Sequence, residues 1–223
     1  MLYGSSHPGV AGSELTHLLT RFAGAPPSAT PPAFAERLGQ WLSWADAISL
    51  SSALNAGPAE PQLGPGRMGK PGSEEADFHR VRSALEASIA AGSRENGSDP
   101  TDFAPHRRHC IAVQQAMQDA VAALRQRLRD ALARHSPALA RLAAIDAAMD
   151  QSLATRESGL LGLVPLRLQA HHERLQRAAG ADDTGWTDTF RDDMARVLRA
   201  ELAHRLLPAQ GLLDALRTNR QPT

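Results

Sequence analysis

Two Glu-x-x-His pairs offer the sharpest chemistry in this chain, Glu14-Leu15-Thr16-His17 and Glu201-Leu202-Ala203-His204. On a helix, residues i and i+3 share a face, so each pair can present a carboxylate and an imidazole to one ion. Di-iron helical bundles use two such pairs with a further glutamate from each of two more helices. Glu86 and Glu173 are the candidates for those extra ligands, and their spacing singles out neither. With nine histidines in 223 residues, such spacings arise easily by chance. Surface Glu–His neighbours are the favoured account, and no metal site is assigned.

His106-x-x-His109-Cys110 supplies two imidazoles and one thiol. A structural zinc site takes four protein ligands, and Cys110 is the single cysteine. His171-His172-Glu173 falls inside an expected helix, where neighbouring residues point about 100° apart and do not readily share an ion. As a nucleophile, Cys110 would need an activating base and an oxyanion site, and the sequence marks neither. A structural thiol is expected, and a lone cysteine fits a reducing compartment. No catalytic residue, cofactor motif or metal centre emerges, so the expected function is non-enzymatic.

Arginines gather on the longest expected helix, where Arg107, Arg108, Arg125 and Arg129 form a candidate basic face. Arginine–phosphate contacts give sequence-independent affinity for nucleic acid. Against that reading, Asp119 and Asp130 lie among these arginines, Gln114, Gln115, Gln118 and Gln126 dilute them, and no aromatic is placed for base stacking. Formal charges balance, 24 against 24, so no global field draws the chain to polyanions. A solvated helix face is favoured. Trp41 and Trp44, with Asp46 beside them, form the candidate partner-binding site. Tryptophans one turn apart are usually core, and they also suit an interface anchor.

These residues must be positioned by helices. Alanine, leucine and arginine dominate, aromatics are only 4%, and β-branched residues are sparse, which favours helix over sheet. Apolar spacing predicts helices over Glu14–Phe22, Ala33–Asn55, Ser73–Ala91, His106–Arg134, Leu166–Ala178 and Thr187–Leu207. In the second, Phe34, Leu38, Trp41, Leu42, Ala45, Ile48 and Ser52 form one stripe, while Trp44, Leu50 and Leu54 fall off it. A helix apolar on more than one side is deeply buried or meets a partner. Ser136-Pro137 opens another helix carrying Leu139, Leu142, Ile145, Met149 and Leu153, with serine as cap and proline in the first turn. Gly159, Gly162 and Pro165 predict a break, and Pro208 is expected to end or kink the last long helix.

Residues 57–72 carry a run of prolines and glycines that reads as a disordered linker. It separates an N-terminal helical segment, 1–56, from a helical bundle with a long hairpin, 73–223. The first residues lack the charged and apolar regions of a secretory signal. The longest apolar run, Gly159 to Leu166, is far short of the roughly 20 residues that span a bilayer. A cytoplasmic location without membrane insertion is expected.

The block from Phe34 through Trp41, Trp44, Asp46 and Ile48 to Leu54 resembles the N-terminal signature of a proteobacterial family catalogued only as a domain of unknown function. Asp146 to Met149, Arg156-Glu157, Val164-Pro165 and Pro208 to Leu213 are similar to its later blocks. The family has no assigned activity, so no catalytic residue carries over. The resemblance implies a setting beside a membrane protein of the proton-driven motor kind and an OmpA-like peptidoglycan-binding protein. Taken together, the expectation is an all-α, multi-helix bundle with a long helical hairpin and disordered linkers. It would act as a cytoplasmic scaffold or adaptor for other proteins, with self-association through the His106–Arg134 stripe.

Overall fold

The computed structural model describes residues 14–23, 44–55, 73–92, 101–179 and 185–219. Every regular element among them is a helix. They are α1 (Glu14–Ala23), α2 (Trp44–Asn55), α3 (Ser73–Gly92), α4 (Ala104–His135), α5 (Pro137–Leu161), α6 (Val164–Ala178) and α7 (Gly185–Thr218). The protein is the all-α bundle its composition and apolar spacing call for. Trp41 and the 57–72 segment lie outside the described residues.

The long hairpin forms where Ser136-Pro137 places it. Ser136 is extended, its hydroxyl accepts from the Leu139 amide at 3.3 Å, and Pro137 opens α5. The two arms are joined by an ion quartet. Arg125 donates to Asp150 at 2.6 Å and to Asp146 at 2.7 Å. Arg129 donates to the remaining oxygens of the same two aspartates, at 2.7 and 2.6 Å. Two arginines one turn apart thus meet two aspartates one turn apart, which sets the register of the hairpin. At the start of α4, Asp102 accepts from the Ala104 amide at 2.8 Å and Pro105 stands in the first turn.

The break between α5 and α6 follows from Pro165. Proline has no N–H, so the carbonyl four residues before it, that of Leu161, loses its helical donor. Gln114 Nε2 on α4 fills the gap, donating to Leu161 O at 3.0 Å. The chain bends at Gly162 and Leu163 and continues as α6.

Pro208 behaves differently. The expectation that it ends or sharply kinks the helix is corrected, because α7 runs through it to Thr218. Pro208 and Leu207 face solvent, while Ala209, Leu212, Leu213 and Leu216 beyond them are buried. Water can satisfy the carbonyl that proline leaves free, and burial of that last turn offsets the lost bond. α7 is the central element. It packs against α1, α3, α4, α5 and α6 and buries Phe190, Met194, Val197 and Leu198 among others.

α2 is the exception. It packs on α5, yet none of its residues is fully buried, and Trp44 is 83% exposed. The core reading of Trp44 is therefore corrected. So is the stripe. Ala45, Ile48 and Ser52 are exposed, and the half-buried positions are Asp46, Leu50 and Ala53, another face at helical spacing. In a helix apolar on several sides, spacing alone does not choose which side docks. Among the described residues, no helix is long and apolar enough to cross a membrane.

The quartet yields a stability test. Asp146→Ala leaves two largely buried guanidinium groups to share Asp150 alone, one buried positive charge uncompensated, and should cost about 3–5 kcal/mol in urea unfolding. Replacing Arg125, Arg129, Asp146 and Asp150 together by Met and Leu should leave stability equal or higher. A loss under about 1 kcal/mol for Asp146→Ala would show that the quartet does not pin the hairpin.

Candidate functional site

The most elaborate polar arrangement lies where α1, α4, α6 and α7 meet. On α6, Leu168, His171, His172 and Leu175 share the inward face, and both histidines are buried. On α7, Asp193 is buried on the same side as Phe190, Met194 and Val197. His171 Nε2 lies 2.9 Å from Asp193 Oδ2, and Arg174 Nη2 lies 2.8 Å from His171 Nδ1. An arginine can only donate, so Nδ1 is the acceptor and the Nε2–H donates to the carboxylate. Asp193 also accepts from Arg21 of α1 and from Arg196, both at 3.3 Å.

The same network clasps α1. Arg174 Nη1 donates to the Phe22 carbonyl at 3.0 Å. The Phe22 ring stacks on His171 at 4.1 Å with 13° between planes. His172 occupies an aromatic nest formed by Trp186, Phe190 and Phe103, with His106 of α4 at 5.9 Å. His171 titrates below its ordinary 6.5. Burial is the main cause, Asp193 opposes it, and Arg174 and Arg21 add to it. His106 is lowered too, first by burial and then by His172, Arg191 and His109.

An imidazole on an aspartate has the outline of a hydrolase dyad, but its free nitrogen does not face a nucleophile. Nδ1 is taken by Arg174. What the arrangement does is hold helices together through a ring that can take up a proton. A shallow open cleft of about 440 Å³ lies nearby between α6 and α7, lined among the described residues by Leu175, Ala178, Ala179, Gly185, Trp186 and Thr189, none of them titratable.

The sequence-derived candidates end in different places. Glu201 is wholly buried, accepting from Gln114 at 2.9 Å and from Arg205 at 2.9 Å. His204 is exposed and sits 4.0 Å from Glu157 instead. Glu14 and His17 both face solvent on α1. The two Glu-x-x-His pairs therefore do not converge, and no group of three metal-binding side chains occurs among the described residues. Cys110 is fully buried, its thiol pushed up to about 12 by burial and by Glu201. His109 lies against Gly92, where an added Cβ would overlap the outer atoms of its ring, so any larger residue at the end of α3 would displace His109.

The basic face is corrected. Arg107 and Arg108 are exposed. Arg125 and Arg129 point into the hairpin and are neutralised by Asp146 and Asp150. Of the partner-site candidates, Trp44 is exposed and Asp46 half-buried on the side of α2 that carries Leu50 and Ala53. Sequence reasoning missed the partnership of His171 with Asp193, Arg174 and Phe22. Its signal was the placing of His171 and Asp193 at positions that apolar spacing marks as core.

Fold and site together define a helical bundle whose buried charges are spent on cross-helix ties. A search of curated proteins and one of solved structures return no match. The chain belongs to the family described as Protein of unknown function (DUF3348), whose model matches residues 1–218.

Two outcomes follow. The folded protein should leave Cys110 unreactive toward a thiol-exchange reagent at about pH 8, with full reaction after denaturation; rapid reaction of the native chain would contradict its burial. Because His106 and His171 are lowered in the folded state, the unfolded chain binds protons more readily, and stability is complete above about pH 6.5 and declines below it. Urea midpoints should drop between about pH 7.5 and about pH 5.5; equal midpoints would refute the assignment.

Proposed function

We propose that this protein is a non-enzymatic scaffold or adaptor that binds other proteins through its helix faces. The observation that carries this reading is α2. It is apolar on several sides, buries no residue completely, and presents Trp44, Ile48 and Leu54 to solvent. Exposed apolar surface on this scale marks an association site, and a rigid tryptophan is the side chain most enriched at interface hot spots. Leu160, Leu163 and Leu166 add a second exposed apolar stripe across the bend between α5 and α6.

The interior supports the same reading. Its charges pair with one another, Asp193 with His171 and Arg21, Glu201 with Gln114 and Arg205, Arg125 with both aspartates of the quartet. Nucleic acid is a poorer fit, because two of the four arginines proposed for a basic face are already neutralised. The resemblance of the Phe34–Leu54 block makes cytoplasmic work beside an envelope complex the favoured setting, with motor-like membrane proteins and OmpA-like proteins as partners and a second copy of the chain as another.

The test is a Trp44→Ser variant of the full chain. Exposure of Trp44 predicts a stability change within about 0.5 kcal/mol. Tagged wild type should capture envelope proteins from native lysate, and the variant should recover at most about a tenth as much. Equal capture by both, or capture of no envelope protein by wild type, would defeat the proposal.

A further inference from the structure

α1 is held by one apolar row and one polar network. α1 is ten residues long and buries Leu15, Leu18 and Phe22, an i, i+3, i+7 row, against α6 and α7. That is how an amphipathic helix docks in a groove. Among the described residues, its side-chain and carbonyl ties to α6 and α7 run to one network. The Phe22 carbonyl takes Arg174, the Phe22 ring lies on His171, and Arg21 reaches Asp193. His171 is the centre of all three, since it holds both Arg174 and Asp193.

We propose that α1 is a displaceable occupant of a helix-binding groove on α6 and α7, and that His171 is the gate that releases it in acid. When its own α1 is out of the way and His171 is neutral, the groove takes the α1 of a second copy. This inference concerns a different face from α2 and stands whether or not the adaptor reading holds.

The chemistry follows from the occupied ring nitrogens. Nε2 already carries its proton and gives it to Asp193. A second proton can enter only at Nδ1, the atom that accepts from Arg174. Once protonated, Nδ1 has no lone pair to offer and opposes the guanidinium with like charge. Arg174 must move, and it carries the bond to the Phe22 carbonyl with it. The other groups facing His171 set the balance. Arg21 from α1 is cationic and resists protonation, and Asp193 from α7 favours it. Arg196 shares Asp193 and weakens its pull on the ring. Phe22 and Phe190 are neutral, and His106 of α4 lies against the neighbouring His172. Burial and the two arginines hold the ring below its ordinary 6.5 while α1 is docked, so release sets in as pH falls below that value. The tautomer and the pairing both make the docked state the neutral one.

Hydrogen exchange on the full chain tests the gate. After correction for intrinsic rates, the amides of residues 14–23 should lose up to about tenfold protection between about pH 7.5 and about pH 5.5. Those of α4 and α7 should stay far better protected than those of α1 at both values, so that α1 opens while the bundle is folded. H171Q preserves a donor toward Asp193 and an acceptor toward Arg174 but takes no proton, so its α1 should stay protected at both values. F22A should leave α1 unprotected at both while the bundle remains folded. A fluorescent peptide of residues 14–23, raised to millimolar concentration, should be captured by F22A at the higher pH and released at the lower, while the wild-type chain, whose own α1 fills the groove at the higher pH, should capture little at either. The proposal is overturned if α1 keeps its protection in acid, if it loses it only together with α4 and α7, if H171Q responds like wild type, or if F22A captures no peptide.

Discussion

A carboxylate cut off from water must be given cations or donors, and α7 carries two such groups about two turns apart. Asp193 draws in His171 from α6, Arg21 from α1 and Arg196 from its own helix. Glu201 draws in Gln114 from α4 and Arg205. Gln114 then turns its same amide to the Leu161 carbonyl that Pro165 has left without a donor. Apolar packing brings these helices to α7, but it is tolerant of sliding and rotation. The two carboxylates are not, because an unpaired buried charge is far more costly than a misplaced methyl group. They fix which residue of α1, α4 and α6 meets which turn of α7.

The hairpin repeats the principle at its own seam. Arg125 and Arg129 share both Asp146 and Asp150, so a slip by one turn would leave an arginine and an aspartate without a partner. An ion quartet adds little net energy over a hydrophobic seam of the same shape, and its effect falls on register more than on stability. That matters in a protein built from alanine- and leucine-rich helices, where many registers offer nearly the same apolar contact.

How far the sequence discloses this depends on what kind of signal each feature leaves. Long amphipathic helices with a cap are legible, as at Ser136-Pro137 and along Val113, Met117, Val121, Leu124 and Leu128, because period and cap are local. Pro165 and Pro208 look alike in sequence and act differently. Whether a helix survives proline turns on which side the ring faces and what can satisfy the freed carbonyl, and both are tertiary facts. Gln114 rescues one, and solvent the other. The face of α2 that docks was not legible, since Asp46, Leu50 and Ala53 compete with Ala45, Ile48 and Ser52 and nothing local decides between them. The polar network was half legible. Histidine and aspartate at core spacing announce that something buried must pair with them, but not that the partners come from a helix some 150 residues earlier, as Phe22 does for Arg174.

The arginines show most clearly why a surface reading from sequence goes astray. Arg107, Arg108, Arg125 and Arg129 look like one basic helix face, yet α5 packs over the last two and pairs them with its aspartates, and only the first two meet solvent. Half of the charge that seemed free to bind a polyanion is consumed inside the fold. What is left uncommitted on the surface is apolar, on α2 and across the bend between α5 and α6. Internal pairing of charges leaves a protein short of electrostatic steering but well supplied with rigid helix faces, and such faces bind by shape and by excluding water. In that setting a ring such as His171, which while neutral holds the arginine that ties α1 down and lets it go on charging, supplies the responsiveness that the static apolar surfaces lack.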